Sequence, residues 1–159
     1  MKKITCLLVL MASSFTAHAE GIDTSRVYLG GGLSFNSLPG VGSSRGFQFL
    51  AGYEFAGLLN DDISTALEVG YMDSGNFDRI NNNNKFNAAE GVWAAVVESV
   101  PVSNKVDVIG RLGYDFGDDD GLLLGAGMQY KFNTKAAVRM EYVAREHVTG
   151  LQANVLYKF

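Results

Sequence analysis

The feature that most constrains the fold is a two-residue alternation of apolar and polar side chains that recurs along most of the chain. It is clear in FQFLAGYEF at 47–55 and again in LLLGAGMQYKF at 122–132. Successive side chains of a β-strand point to opposite faces, so this period indicates strands with one apolar face. No capped helical period competes with it, which predicts an all-β protein.

Eight such strands can be traced along the sequence. They are predicted at 27–35, 47–55, 63–71, 88–100, 106–116, 122–132, 136–144 and 150–159. Most of the connections are short and rich in Gly, Asn, Asp or Ser, and connections this short join antiparallel neighbours. Eight antiparallel strands of about ten residues can close into an up-and-down barrel, which removes the exposed sheet edges.

The first residues predict an exported protein. Lys2 and Lys3 precede an apolar run at 4–11, and small residues end at AHA, 17–19. This order is typical of a secretory signal peptide, and the run is too short to span a bilayer, which needs about 20 apolar residues. We therefore predict a signal peptide at 1–19, cleaved after Ala19, and an outer-membrane β-barrel domain at 20–159.

Charge and cysteine content exclude some functions. The formal net charge is −4, and cleavage of the signal peptide would remove two lysines and make the balance more acidic. Nucleic-acid binding requires a basic face, so no nucleic-acid partner is predicted. The single cysteine, Cys6, lies in the signal peptide, so no disulfide stabilises the predicted domain. The sequence predicts no cofactor.

Alternation alone does not decide which face of the barrel is inside. A soluble periplasmic ligand-binding barrel would bury its apolar face, whereas a membrane barrel turns that face to lipid and keeps a polar lumen. Two patterns favour the membrane barrel. The polar face is rich in glycine and mixed charges, which suits a narrow lumen. Aromatic residues gather near strand ends as an interfacial girdle would: Phe35, Phe55, Tyr71, Tyr114, Phe116, Tyr130, Phe132, Tyr142, Tyr157 and Phe159.

The segment 88–100 is the least regular of the predicted strands. Glu90 and Glu98 share a parity with apolar residues such as Val96, so its polar face is not polar throughout. We expect a strand with a bulge that switches parity. In this interpretation Trp93 faces lipid.

Several pieces together resemble the OmpA-like outer-membrane β-barrel family, in its small stand-alone eight-stranded, OmpX-like form. These are VYLGGG at 27–32, GRLGYDFG at 110–117, GAGMQYKF at 125–132, VRMEY at 138–142 and LYKF at 156–159. The resemblance covers essentially the whole predicted domain and implies the outer membrane of a Gram-negative bacterium. It also implies that Val155, Tyr157 and Phe159 form the signal read by the outer-membrane assembly machinery. OmpA itself has a periplasmic peptidoglycan-binding domain, which has no counterpart here, so cell-wall tethering is not carried over.

The inward-facing charges predict a lumen plugged by salt bridges. Buried charges persist when paired, and an eight-stranded interior is about filled by its own side chains. The predicted network comprises Glu54, Glu68, Glu98, Arg111, Lys131, Arg139, Glu141, Arg145 and Lys158. The expected role is envelope integrity or adhesin-like surface contact, with outer-membrane lipids and lipopolysaccharide as partners. A narrow channel or transporter for small solutes is the alternative function.

The connections offer weaker candidates. The longest, 73–87, is predicted to be a mobile outer-surface loop containing NNNN at 81–84, and a host or surface ligand would contact it. Its contact candidates are Asn76, Phe77, Asp78, Arg79, Asn82 and Lys85. His147 lies at an offset seen in some eight-stranded lipid A deacylases. It lacks their serine, however, so a solvated histidine is expected and no enzyme is predicted. GDDDG at 117–121 is expected to be a solvated acidic turn rather than a metal site.

Overall fold

The protein is a closed antiparallel β-barrel. The structure, a computed structural model, describes residues 23–56, 63–78, 85–87 and 90–159. The predicted signal peptide lies outside the described residues. No helix among the described residues is long and apolar enough to cross a bilayer.

Ten strands follow a short 3₁₀ turn at Thr24–Arg26. They are β1 (Val27–Leu38), β2 (Gly42–Ala56), β3 (Ser64–Asp73), β4 (Asn76–Asp78), β5 (Lys85–Asn87), β6 (Glu90–Pro101), β7 (Val106–Asp115), β8 (Gly121–Lys131), β9 (Ala136–Ala144) and β10 (Thr149–Lys158). Eight of them close the barrel in the order β1-β10-β9-β8-β7-β6-β3-β2, so every barrel strand pairs with its neighbours along the chain. The predicted eight-stranded up-and-down barrel is confirmed.

The barrel has two distinct ends. At the terminal rim, β1 begins, β10 ends, and residues 102–105 and 132–135 make tight turns. At the loop rim lie residues 39–41, 116–120 and 145–148, together with the β4–β5 hairpin. The strand β2 begins at Gly42, earlier than predicted, because GSSRG pairs with β1 as strand instead of forming a loop. Gly40, at φ 76°, lets residues 39–41 reverse the chain within one tight turn.

The outer wall is apolar. Alternate strand residues project outward, and most are large and exposed: examples are Leu33, Phe49, Val69, Val92, Leu112, Leu124, Met140 and Val155. Aromatic pairs such as Tyr130–Phe132 and Tyr157–Phe159 lie at the terminal rim of this wall. Apolar groups exposed on a closed sheet are suited to acyl chains rather than to water. The predicted orientation of the two faces is confirmed for these strands.

The lumen is filled by side chains of mixed character. Charged and amide groups occupy it together with apolar residues that are almost inaccessible, among them Trp93, Val97, Ile109, Leu123 and Val143. Glycines give these groups room. A Cβ on Gly70 would lie 2.5 Å from the Trp93 ring, and one on Gly32 would lie 1.9 Å from the Ala153 carbonyl oxygen. The glycine-rich lumen face therefore reflects close packing of neighbouring side chains and strands.

The segment 88–100 departs from the prediction. It forms one regular strand, β6, whose register with β3 and β7 is continuous, so the expected parity-switching bulge is wrong for β6. Trp93 is fully buried in the lumen, and the prediction that it faces lipid is also wrong. Both faces of this strand are apolar because the lumen beside it is packed with hydrocarbon groups.

The connection between β3 and β6 holds structure that the sequence did not predict. Strands β4 and β5 pair as a small antiparallel hairpin. Before it, the carbonyl oxygen of Ser74 accepts hydrogen bonds from Asn36 Nδ2 at 2.8 Å and Ser44 Oγ at 2.6 Å. Phe77 is fully buried and belongs to the same apolar cluster as the lumen residues. The described start of this connection therefore folds onto the barrel instead of extending as a mobile loop.

Candidate functional site

The middle of the lumen holds an ionic group that we call the central cluster: Glu68, Arg111, Arg139, Glu141 and Tyr28. Arg111 Nη2 donates to Glu68 Oε2 at 2.8 Å and to Glu141 Oε2 at 2.9 Å. Arg139 Nη1 donates to Glu68 Oε1 at 2.5 Å, and the Tyr28 hydroxyl donates to the same oxygen. Two carboxylates and two guanidinium groups balance, so the cluster is neutral and spans the lumen from β1 and β3 to β7 and β9.

Burial makes this cluster different from surface ion pairs. The side chains of Glu68, Arg111 and Glu141 have 0% exposure, and that of Arg139 has 3%. Aromatic rings complete its surroundings, since the Arg111 guanidinium lies 4.7 Å from the centroid of the Trp93 ring. The Nε and Nη1 atoms of Arg111 have no hydrogen-bond partner. The electron-rich face of the indole partly compensates that desolvation.

Towards the loop rim, an uncharged layer follows the central cluster. Gln48 Nε2 donates to Gln152 Oε1 and to Asn154 Oδ1, each at 2.8 Å. These contacts join β2 to β10 across β1, where Gly32 faces both Gln48 and Asn154 in register. The VYLGGG motif thus leaves space for amides that cross an intervening strand.

A buried ion pair lies still closer to the loop rim. Arg145, just after β9, donates from Nε to Asp115 Oδ2 at 2.8 Å, and both side chains are almost inaccessible. Burial lowers the pKa of the Arg145 guanidinium, and the Asp115 carboxylate opposes that shift. Arg145 belongs to the predicted lumen network. Its hydrogen bond goes to Asp115 and not to a member of the central cluster.

At the terminal rim, two pairs that we call the rim pairs join Glu54 to Lys158 and Asp107 to Lys131. The Lys131 Nζ to Asp107 Oδ1 distance is 2.7 Å. Lys158 and Glu54 are each about a third exposed, in contrast to the central cluster. Below β1 the exposed Asp23 begins the 3₁₀ turn, and hydrogen bonds from Ser25 lower the pKa of its carboxyl.

The structure places Glu98 outside the lumen. It lies on the same face of β6 as the outward-facing Val96 and Val100 and accepts hydrogen bonds from Thr65 Oγ1 at 2.8 and 2.9 Å. Its assignment to the lumen network is therefore wrong. The parity of Glu98, which is that of the apolar residues Val96 and Val100, already indicated the outward face. Asp107 and Asp115, which do face the lumen, were omitted from that network.

The predicted loop contacts are only partly described. Asn76 is exposed, but Phe77 is fully buried, so its assignment as a surface contact is wrong. Asp78 and Lys85 lie in the paired strands β4 and β5, where only their backbone is described. Arg79 and Asn82 lie outside the described residues. Val155, Tyr157 and Phe159 all project from the outer wall.

His147 has a partner that the sequence did not indicate. Its Nδ1 lies 2.8 Å from Asp119 Oδ1, and the Asp119 carboxylate also accepts from the backbone N–H groups of His147 and Val148. Asp119 is 1% exposed, so the expectation that GDDDG is solvated throughout is wrong at this residue. The imidazole is 72% exposed. Across the described ranges, no three His, Cys, Asp or Glu side chains gather as metal ligands would.

The comparisons with known proteins agree with this architecture. A family model described as the outer membrane protein beta-barrel domain matches residues 5–159. None of the curated proteins matches the chain.

Several solved structures have a fold similar to that of this chain. The Yersinia pestis outer membrane protein Ail in a phospholipid bilayer nanodisc is 16% identical, with a TM-score of 0.56 over 84% of this chain and 98% of that one. Ail in complex with the heparin analogue sucrose octasulfate gives 17% identity and a TM-score of 0.51 over 84% and 96%. A de novo designed transmembrane beta-barrel gives 15% identity and a TM-score of 0.51, also over 84% and 96%. At these identities the likeness shows the fold alone.

Proposed function

Because the chain belongs to the outer membrane protein beta-barrel family and lies in the cell outer membrane, we propose that it is a closed, non-conducting and non-enzymatic barrel. Its role is to support the envelope and to present the loop rim for surface contact. The terminal rim then faces the periplasm, and outer-membrane lipids and lipopolysaccharide surround the apolar wall.

The observation that carries the proposal is the neutral, fully buried central cluster. Opening an ion path past Glu68 and Arg111 would separate charges that have no access to water in the closed barrel. Removing one partner from a buried pair costs about 3–5 kcal/mol, so such openings would be rare. An eight-stranded barrel also has an interior only wide enough to be filled by side chains.

Packing on the loop side supports the same conclusion. Above the central cluster lie the fully buried Trp93 and Leu123, and Phe77 joins them from the β4–β5 hairpin. A solute entering from the loop rim would have to displace apolar side chains before it reached the charged layer. Two successive barriers of different chemistry make the alternative of a narrow channel less favourable.

Planar-bilayer recording tests the closed lumen. We expect no steady conductance from the wild-type barrel. Glu68→Ala, which removes the carboxylate shared by Arg111 and Arg139, should increase the frequency of brief openings. Lys105→Ala, in an exposed turn of the terminal rim, is the matched control and should behave as the wild type. Large steady conductance of the wild type, or swelling of liposomes in small sugars, would contradict the proposal.

Surface contact through the loop rim is the second part of the proposal. Exposed charges there among the described residues are mostly acidic: Glu90, Asp118, Asp120 and Glu146, against Arg45. The heparin analogue bound by Ail is polyanionic, and like charges at an interface suppress association. We therefore infer that this barrel does not share such a ligand. It should flow through a heparin column at physiological salt, and retention would show that the inference is wrong.

The absence of catalysis is part of the proposal as well. His147 and Asp119 have the geometry of a base and the group that orients it, but a nucleophile must also lie within reach. The described residues place no serine or threonine hydroxyl within hydrogen-bonding distance of the imidazole. We expect lipid A to be unchanged when the protein is expressed. A modification that disappears in His147→Ala would overturn this part.

The assembly signal remains a proposal for the last strand. The outward-facing Val155, Tyr157 and Phe159 would be read by the outer-membrane assembly machinery before the barrel closes. Replacing Phe159 by Ala should lower the amount of heat-modifiable barrel in the outer membrane without preventing folding of the purified chain in detergent. Equal loss in both settings would indicate a folding role instead.

A further inference from the structure

A cavity of about 240 Å³ lies between the central cluster and the terminal rim, and the function proposed above does not use it. Tyr28 and Arg139, members of the central cluster, contribute to its lining, so it ends at the closed part of the lumen. The rim pairs line its walls, and residues 133–136 of the β8–β9 turn form part of its edge. We call it the terminal cavity.

The charges around this cavity are unequal. Among the described residues, its lining holds four cationic side chains and two carboxylates: Lys131, Lys135, Arg139 and Lys158 against Glu54 and Asp107. The charge of Arg139 is already matched by Glu68 above it. Each carboxylate of the cavity accepts a hydrogen bond from one ammonium group.

The ammonium groups of the lining also have spare hydrogen-bonding capacity. An ammonium group has three protons, and the structure gives each of Lys131 and Lys158 one side-chain acceptor. Gln129 uses its Oε1 to accept from Arg139 Nε at 3.0 Å, which leaves its amide N–H groups as donors. Ser64 and Ser99 add hydroxyl groups to the lining. The described lining therefore keeps several N–H and O–H donors for a bound group.

We propose that the terminal cavity binds a small oxyanion, a phosphate or carboxylate group. Such a group would accept hydrogen bonds from the ammonium groups of Lys131 and Lys158, which line the cavity, and Lys135 would add attraction at its edge. A cation would have to displace an ammonium group from Glu54 or Asp107 and would be repelled by Lys131, Lys135 and Lys158. Concave sites with a few convergent polar groups are the usual form of small-ligand sites.

Inorganic phosphate is the probe for a direct test. The full chain would be refolded in an uncharged, phosphate-free detergent, and binding followed by calorimetry and by ³¹P line broadening. We expect saturable binding to the wild type and affinity about tenfold or more weaker in Lys131→Gln/Lys158→Gln, because charge-assisted hydrogen bonds are lost. Lys105→Gln removes a charge from the same rim without altering the lining and should bind as the wild type.

A second pair of substitutions changes the affinity in the opposite direction and keeps both lysines. Glu54→Gln/Asp107→Asn removes the carboxylates that compete for the ammonium protons, so phosphate affinity should rise by about tenfold. This variant tests the proposal even if the lysine variant does not fold. The proposal is overturned if its affinity is unchanged or lower, or if Lys105→Gln weakens binding as much as the lysine variant does.

The source of the oxyanion can be separated in the same experiment. A short-chain phosphatidylglycerol replaces inorganic phosphate in one arm. Binding of both probes, with the same dependence on Lys131 and Lys158, indicates a site for soluble anions that also accepts a headgroup. Binding of the lipid alone assigns the cavity to a headgroup phosphate. Binding of neither probe to the folded wild type overturns the proposal.

Discussion

The central cluster and the rim pairs are built from the same chemical groups and differ in their access to water. The central cluster is sealed between aromatic and apolar layers, and Glu68 accepts hydrogen bonds from three partners. The rim pair of Glu54 and Lys158 is about a third exposed, and each side chain has one partner. Burial, more than the identity of the charges, should decide what each group contributes.

The lumen therefore has two electrostatic environments, one without and one with access to water. In the central cluster, a single substitution leaves an uncompensated charge far from water, so losing any one partner should strongly destabilise the barrel. At the terminal rim, solvent replaces a lost partner, so the same groups remain available to a ligand. Because solvent reaches only the terminal rim, one barrel can combine a closed central cluster with charged groups that are free to bind a ligand.

The largest expected effect is that of Glu68→Gln. It keeps the shape of the side chain but leaves Arg139 and part of Arg111 without a counter-charge, so the barrel should lose about 3–5 kcal/mol of unfolding free energy. Urea titration in lipid vesicles, followed by the heat-dependent gel shift of the folded barrel, measures it. A loss below about 1 kcal/mol would remove the distinction between the two environments.

Asp115→Asn should have an intermediate effect. It removes the charge that faces Arg145, whose Nη1 and Nη2 have no other partner, so we expect a loss of about 2 kcal/mol. The pair lies next to the loop rim, and residues 145–148 should become more sensitive to protease in the variant. Stability equal to the wild type would mean that water already reaches Arg145.

The smallest effect is expected for Lys158→Gln. A partly exposed pair contributes below about 1 kcal/mol, and salt should weaken that contribution further. The same urea titration in phosphate-free buffer, at low and high NaCl, measures it. A loss as large as that of Glu68→Gln would show that the rim pairs are effectively buried. They would then not differ from the central cluster in their access to water.

The sequence predicted the barrel and its outer wall because both follow from period-two alternation. Outward positions that face lipid are mostly apolar, so the alternation is regular through much of β2, β7 and β10. The charges of the central cluster were also recognisable, because Glu68 and Arg111 lie on the face of their strands opposite to the large apolar residues.

The rest was not predictable because the lumen is not uniformly polar. β6 has apolar residues on both faces, so alternation could not assign Trp93 or Glu98 to a side. The burial of Asp119 depends on backbone N–H groups from another loop, which no local pattern reveals. The β4–β5 hairpin lies in an Asn-rich connection with weak strand propensity, and its buried Phe77 packs with the apolar cluster of the lumen.

Trp93 is the only tryptophan of the chain, and its ring stacks against Arg111 inside the lumen. Its intrinsic fluorescence is consequently a reporter of barrel closure that is insulated from the bilayer. Brominated acyl chains, which quench indoles on a lipid-facing wall, should leave its emission intact. Refolding of the purified chain into lipid vesicles could thus be followed without attaching a dye.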